Sequence, residues 1–506
     1  AVVDPHREDC PSKFKNLCGA GVAFKLIMAL EGEDCDFDSL YENYSDLLCI
    51  ATIADIVELS GENRAFVKHG LESLKICDRI GINKLMEKSD IDKSQLSVYD
   101  VSFKIAPRLN SVGRLGNCEA AVKLLLTDDE EEADEISELM CDDNSKRRQI
   151  EADELTEIEN TIMQNPSFVN SRIIVIDGEN WRQGVNGLVA SKLKEAFGKP
   201  VIVISHGGDE AKGSARSVEG FPIHTAVAYC SDLLMHHGGH PMAAGLSLKT
   251  QNIDLFRKKI NEFANSFENM PFDSLNISCK LNPAFINVDM INSLDYLKPY
   301  GAGNPTPLFG FYNMTVADII PLANDKHLKL MLNRNGTTIE AMQFGMSTST
   351  FPYNKGDVVD IAAKLDINEY NGYVKPSVIV QAIKFSSDDT VKILKSQRIF
   401  EDFCCGVKIT KEEIFEILPN RNDFVLLYTY LRKNNGYNYP FVTLMHRLDN
   451  KLTYGKIRVI LEALNELGLI KINEGVKESE IRVIPNPQKV NLESAEIIRK
   501  LKEMSL

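Results

Sequence analysis

The sequence predicts a multidomain α/β protein, and three observations carry that expectation. Strand and helix runs alternate in "RIIVIDG" (172–178), "GLVASKLKEAFG" and "KPVIVIS" (199–205), a βαβ-like unit that predicts a parallel sheet. From about residue 275 the pattern changes to β-type alternation with turn signals such as Asn371-Gly372, which predicts a small barrel. The last hundred residues read as three helices, "DFVLLYTYLRKN", "PFVTLMHRL" and "TYGKIRVILEALNELG", followed by the short strands "LIKI" and "EIRVIP". That order is a winged-helix pattern.

Earlier elements follow the same logic. Residues 13–30 read as a loop and then a helix packed through small residues. The stretch "DLLCIATIADIVELSGENRAFVKHGLESL" reads as a buried helix or strand, a turn at Ser60-Gly61 and an amphipathic helix. Between Asp128 and Glu159 lie fifteen acidic residues against three basic ones, with no Gly or Pro. Ile136, Leu139, Met140 and Ile150 are spaced for one helical face, so the segment predicts a long solvated helix joining two domains. A helix over 222–236 is expected to lead into a histidine cluster.

Composition narrows the class. The chain has 506 residues, of which 44% are hydrophobic and 25% charged, as in ordinary soluble globular proteins. No apolar run reaches the roughly 18 residues of a membrane span. The opening "AVVDPHREDC" has no charged-then-apolar leader and starts as though inside a strand, so a chain that has lost its beginning is expected. Eleven scattered cysteines without a C-x-x-C pair predict neither a disulfide framework nor a zinc ribbon, and favour a reducing cytosol. The net charge of −15 is concentrated in the acidic segment, so it does not exclude a locally basic groove elsewhere.

Four stretches carry candidate chemistry. In "APRLNSVGRLG" (106–116), Arg108, Asn110 and Arg114 stand around an expected loop containing Gly113 and Gly116. Two guanidinium forks and an amide there suit a phosphodiester, although surface arginines beside a helix cap read equally from the same residues. In "KGSARSVEG" (212–220), Ser214, Arg216 and Ser217 after Gly213 read as an anion cradle or as a polar turn before a helix starting near Pro222. Asp55 is the carboxylate in the apolar "ATIADIVEL", and a buried acid needs a cation, a hydrogen-bond network or a metal; a helix N-cap is the plainer alternative. Finally, "HHGGHPMAAGLSL" (236–248) holds three of the nine histidines. A zinc site would need His236, His237, His240 and Asp232 together, whereas neighbouring histidines diverge on a regular helix. The small residues Gly238, Gly239, Ala243, Ala244 and Gly245 fit better a backbone that a ligand approaches closely, with His240 as a donor or acid aimed at a phosphate; a structural tight turn stays open.

Taken in order, "REDCPSKFKNLCGAGVAFKL", "TIADIVELSGENRAFVKHGL", "PRLNSVGRLG", "GSARS", "GGHPMAAG" and "LKPYGAGNPTPLF" closely resemble the bacterial RecJ family of single-strand-specific DNA exonucleases, within the DHH phosphoesterase superfamily. The resemblance runs to about residue 385 and continues more weakly to the end. It implies the C-terminal part of a parallel-sheet DHH catalytic domain (1–125), a connecting acidic helix (126–165) and a DHH-associated α/β domain (166–272). An OB-type barrel (273–388) and a winged-helix-like domain (389–506) would follow.

It also implies 5′-to-3′ hydrolysis of single-stranded DNA to mononucleotides with Mn²⁺ or Mg²⁺, in repair and recombination. Asp55 would be a catalytic metal ligand, and Arg108, Asn110 and Arg114 would face the active centre. Ser214, Arg216 and His240 would contact phosphates, with the DNA backbone running over a Gly238-Gly239 turn. The D-H-H triplet and earlier carboxylates have no counterpart here, so the chain as given is expected to bind metal poorly and to be inactive. Arg182 also stands where the family usually has His after the tryptophan. Phe344, Tyr370 and Tyr373 are either base-stacking platforms or barrel core. Lys451, Lys456 and Arg458 would touch DNA, unless the last domain docks a protein such as a single-strand-binding protein or a helicase. Two other readings compete: a non-catalytic single-strand binder, and a phosphodiesterase for short oligonucleotides or cyclic dinucleotides. No membrane partner is expected, and the cytoplasm is the expected compartment.

Overall fold

The structure is a computed structural model that describes residues 3–115, 118–165, 167–272, 274–370, 372–474 and 479–505. It divides into two compact units: Ala1–Ile150 with Ile286–Pro307 and Ile367–Pro376, and Glu151–Phe285 with Leu308–Asp366 and Ser377–Leu506.

The first unit begins with α1 (Gly19–Glu31), α2 (Phe37–Ala54), α3 (Gly61–Lys75) and α4 (Ile80–Glu87). Helices α2 and α3 touch at Gly70, where a Cβ would lie 2.3 Å from the Ser45 carbonyl oxygen, so only glycine permits this approach. After the single turn α5 (Val98–Asp100), a five-residue π-helical stretch, Val101–Ile105, runs into α6 (Ala106–Leu115), and α7 (Cys118–Leu126) follows. The expected loop "APRLNSVGRLG" is therefore a helix as far as Leu115, with Gly116 outside the described residues. The π-helical stretch, closed by the Ala106 N–H donating to Val101 O, directly precedes Pro107, which has no N–H to give to its own turn. Among the described residues before α8 there are helices and no strand, so the parallel pairing read from the sequence belongs to the second unit. Residues 297–302, the first part of the motif "LKPYGAGNPTPLF", strap α3 and the turn before it: Arg64 donates to the carbonyls of Leu297 (2.8 Å) and Lys298 (2.7 Å), and the Leu59 N–H donates to Ala302 O at 2.7 Å.

The acidic segment is one helix, α8 (Glu130–Gln164), as its lack of Gly and Pro predicts, but it is not solvated all round. Ala133, Ser137, Met140, Asn144, Glu151, Glu154, Ile158 and Ile162 are buried along one stripe, whereas Leu139 is exposed. Three of its acids are structural. Glu151 pairs with Lys192 at 2.7 Å, Glu157 accepts from the Trp181 indole N–H at 2.9 Å, and Glu154 accepts from the Arg182 backbone N–H at 2.7 Å.

After α9 (Ser167–Asn170) come β1 (Ile174–Glu179), α10 (Gln183–Phe197), β2 (Val201–His206), β3 (Glu210–Arg216), α11 (Ile223–Tyr229), β4 (Leu234–His240), β5 (Ala243–Lys249) and α12 (Ile253–Asn265). The sheet order is β1-β2-β3-β5-β4. Only β1 and β2 are parallel, joined by α10; the other three pairings are antiparallel. The expected parallel sheet is thus a mixed one, because β2 reaches β3 through the short turn 207–209, which needs no crossover helix. The expected helix over 222–236 ends at Tyr229, and the histidine cluster lies on strand β4. One sheet face packs Ile202, Ile204, Ala211, Ala215, Leu246 and Leu248 with Phe221, Phe256 and Ile260.

Strand β6 (Cys279–Lys280) and helix α13 (Val288–Ser293) precede a barrel of β7 (Phe309–Leu322), β8 (His327–Arg334), β9 (Thr337–Phe344), β10 (Val358–Tyr370) and β11 (Tyr373–Phe385). Pairing of β10 with β7 closes it, β11 lies parallel to β9, and β6 adds to β7.

The C-terminal region consists of α14 (Thr390–Cys404), α15 (Lys411–Ile417), α16 (Arg421–Lys433), α17 (Val442–Arg447), α18 (Tyr454–Glu466), the antiparallel pair β12 (Ile470–Glu474) and β13 (Ser479–Val483), and α19 (Glu496–Ser505). The helix before the two strands, α18, is the core of this region, with Ile457, Val459, Ile460, Leu461, Ala463 and Leu464 all buried. Arg458 is 7% exposed, held between the rings of Phe400 and Phe441, and Lys456 pairs with Asp423 at 3.0 Å. The expectation that Lys456 and Arg458 touch DNA is therefore corrected; of the three cations, Lys451 alone is exposed.

Burial raises the pKa of Glu154, and its second carboxylate oxygen has no partner among the described residues. A raised folded-state pKa means the group favours folding below its unfolded value and progressively loses that contribution as pH rises through the folded value. Glu154→Gln keeps an acceptor for the Arg182 N–H without the charge. It is expected to raise Tm by about 1–3 °C at pH 7, with the gain vanishing near pH 4 in a thermal melt series.

Candidate nucleic-acid interface

The register of the mixed sheet assembles the site in the second unit. Arg216 on β3 pairs with Ala243 on β5, which pairs with His240 on β4. Ser214, Gly245 and Gly238 form the next row, and Lys212, Ser247 and His236 the third. Alternation places these nine residues on one face, opposite the packed one, with rows about 7 Å apart and neighbouring strands about 5 Å apart. The middle row has almost no side chain. A Cβ at Gly238 or Gly245 would meet nothing within 4 Å, although β5 is an interior strand. The result is a shallow trough floored by glycine, with Arg216 and His240 flanking one end and Lys212 and His236 the other. The expected Gly-Gly turn is thus a flat strand segment, and the turn itself is at Pro241-Met242.

Each flanking group is placed by its neighbours. Arg216 donates from Nη1 to Ala215 O at 2.8 Å and lies over Gly187 of α10, where a Cβ would come 2.6 Å from Nη2. Gly187 therefore leaves the space that the guanidinium occupies. His240 accepts the Met242 N–H on Nδ1 at 3.3 Å, which leaves Nε2 as the donor nitrogen of a neutral ring. Gly239 has φ 153°, and a Cβ there would lie 2.3 Å from Ala243 O, so glycine is required for β4 to lie against β5. Ser217, read with the cradle, is buried, and its hydroxyl donates to Phe221 O at 2.7 Å; it is outside the trough.

The first unit holds the other candidates. Arg108 is half-buried on α6, whereas Asn110 and Arg114 are exposed. Asp55 is not the buried acid expected: it is the exposed C-cap residue of α2, ahead of Ile56 at φ 56°. Helix α2 ends there and turns the carboxylate outward, so no internal partner is required. Among the described residues no group of three or more His, Cys, Asp or Glu could hold a metal ion, so neither the zinc alternative nor a divalent-ion site is assembled by these residues alone. Asp55 supplies one carboxylate where a hard cation needs several oxygen or nitrogen ligands.

On the barrel, Phe344 is 52% exposed and packs edge-on against His327, and Tyr373 is 80% exposed, so neither is barrel core. The side chain of Tyr370 and the turn residue Asn371 lie outside the described residues. Sequence reasoning passed over Lys212 and His236 as trough flanks, and Gly187 as the seat of Arg216. The period-two alternation of "KGSAR" holds the signal for Lys212, but only the strand register brings His236 beside it.

A glycine-floored, cation-flanked trough on a mixed α/β sheet, joined in one chain to a closed five-stranded barrel, defines a DHH-associated domain carrying an OB domain. Residues 165–266 match the DHHA1 domain and residues 277–382 the RecJ OB domain. The chain belongs to the RecJ family. It is 34% identical over 423 residues to the single-stranded-DNA-specific exonuclease RecJ of Bacillus subtilis, covering 82% of this chain and 52% of that protein. It is 30% identical over 408 residues to RecJ of Escherichia coli, covering 76% and 70%. The crystal structure of RecJ in complex with Mn²⁺ from Thermus thermophilus superposes with a TM-score of 0.64 at 29% identity, covering 74% of this chain and 54% of that one. The chain thus spans about half the length of the Bacillus and Thermus proteins. RecJ from Thermus thermophilus has also been crystallised with Mg²⁺.

Proposed function

We propose that this chain carries the strand-gripping parts of a single-stranded-DNA-specific 5′-to-3′ exonuclease that acts in DNA repair and recombination. The observation that carries the reading is the open glycine floor between Arg216 with His240 and Lys212 with His236. A phosphodiester backbone can approach a surface without side chains closely enough for the Arg216 guanidinium and His240 Nε2 to donate to its oxygens. Ser214, in the middle row, adds a hydroxyl. In the first unit Arg108, Asn110 and Arg114 form a second phosphate-contacting surface, and Asp55 is the carboxylate this chain contributes toward a divalent ion. Mn²⁺ or Mg²⁺ would polarise the scissile phosphate and lower the pKa of the attacking water. Phe344 and Tyr373 offer ring faces to unpaired bases, a reason to favour a strand over a cyclic dinucleotide.

The domain division 1–125, 126–165, 166–272, 273–388 and 389–506 is part of this reading. So is docking of a protein partner, a single-strand-binding protein or a helicase, on the last domain, where the helix before the two strands is too deeply packed to enter a DNA groove. All eleven cysteines are free thiols, which fits the cytoplasm, and no described helix is long and apolar enough to cross a membrane.

Gly238→Val and Gly245→Val test the trough. Both side chains enter open space on a strand, so Tm should stay within about 2 °C. Affinity for a deoxythymidine homopolymer, read by fluorescence anisotropy, should fall about tenfold or more. Unchanged affinity in both variants would remove the trough from the binding path.

A further inference from the structure

Arg108 is held by an unusual partner. Its Nε donates to the Cys141 sulfur at 3.2 Å, and its Nη1 donates to Lys104 O at 2.7 Å. The Cys141 thiol points its own proton toward Lys88 O at 3.8 Å, which leaves the sulfur lone pairs for the guanidinium. Beside this contact Ser111 Oγ approaches Met140 O at 3.4 Å, so α6 is fastened to α8 at a second point close to the first. Nη2 has no hydrogen-bond partner among the described residues, and Arg108 is half-buried. Two of its three nitrogens are thus spent on orientation, and the third is left for a phosphate oxygen.

We propose that Cys141 is the positioning residue for Arg108: its sulfur fixes the plane of the guanidinium so that Nη2 is presented to the DNA backbone. This rests on the reading of Arg108 as a phosphate contact. A thiol is a weak acceptor and a carboxylate a strong one for the same Nε–H. The site therefore holds its arginine softly, and the strength of that hold is set by the acceptor at 141.

The test is a double-mutant cycle on the full 506-residue chain, with homopolymer affinity measured across a salt series. Arg108→Ala should weaken binding about tenfold and reduce the salt slope by about 0.7, the signature of one lost phosphate contact on a single strand. Cys141→Ala should weaken binding about threefold where Arg108 is present and not at all in the Arg108→Ala background. Cys141→Ser and Cys141→Asp, which restore an acceptor, should recover wild-type affinity, the aspartate at least fully. An equal loss from Cys141→Ala in both backgrounds would overturn the proposal, as would a Cys141→Asp variant weaker than Cys141→Ala. If Arg108→Ala itself leaves affinity and slope unchanged, the phosphate-contact reading fails first, and the positioning role fails with it.

Discussion

Replacing Arg216 by alanine is expected to weaken single-stranded DNA binding by about ten- to a hundredfold, and lysine at that position to restore little of it. Hydrogen bonds to a charged partner are worth about 1.5–3 kcal/mol each, and a guanidinium offers two in the fixed geometry that a phosphate accepts. Lysine carries the charge but not the fork. Gly187 provides an internal control. A methyl group at 187 would come 2.6 Å from Arg216 Nη2, the far end of a flexible side chain, so the arginine can swing aside with little effect on folding. Gly187→Ala should therefore leave Tm nearly unchanged while reproducing a large share of the Arg216→Lys loss. Anisotropy titrations at one salt concentration, paired with thermal melts, decide it. Full affinity of the lysine variant would show that charge alone suffices at this end of the trough.

The second large effect concerns stability. Asp402 on α14 accepts from Arg172 Nε at 3.0 Å and Nη2 at 2.9 Å, with both side chains about nine-tenths buried. Arg172 also donates to Ala264 O and Phe267 O at the end of α12, and Arg398 approaches Asp402 at 3.7 Å. Nearby, Lys199 pairs with Glu401 at 2.9 Å. Within the second unit this network ties the trough-bearing sheet to the C-terminal helices. Asp402→Ala leaves a buried guanidinium without its counter-charge, and the expected loss is about 3–5 kcal/mol in denaturant unfolding. Replacing both partners, Arg172→Met with Asp402→Leu, should cost far less, because no buried charge remains. A loss below about 1 kcal/mol for Asp402→Ala would mean that water reaches the pair.

Four of the trough residues are legible in the sequence as residue types: Ser214, Arg216, Gly238 and His240 stand in short, ordered motifs. Their arrangement is not. The same residue types read as a loop or a tight turn when taken one segment at a time, since a two-residue period says which residues share a face but not which strand lies alongside. Asp55 misled for a related reason. An acid within an apolar run looks buried until the helix is seen to end on it. Arg108 looked like a loop residue because Gly113 and Gly116 punctuate its stretch, whereas the segment is helical as far as Leu115, follows a π-helical stretch and packs on α8.

By itself the sequence determined the long acidic helix, the strand–helix–strand unit, the strand alternation of the barrel and the residue types of the trough motifs. These follow from periodicity and residue type, which act over one or two turns of chain. Only the tertiary structure decided that Arg216, Ala243 and His240 form one row, that Gly187 makes room for the arginine, that Arg458 is sealed between two rings, and that Cys141 reaches Arg108. Those relations join residues on different strands and helices, far apart along the chain. They arise from ladder register and close packing, which no local pattern encodes.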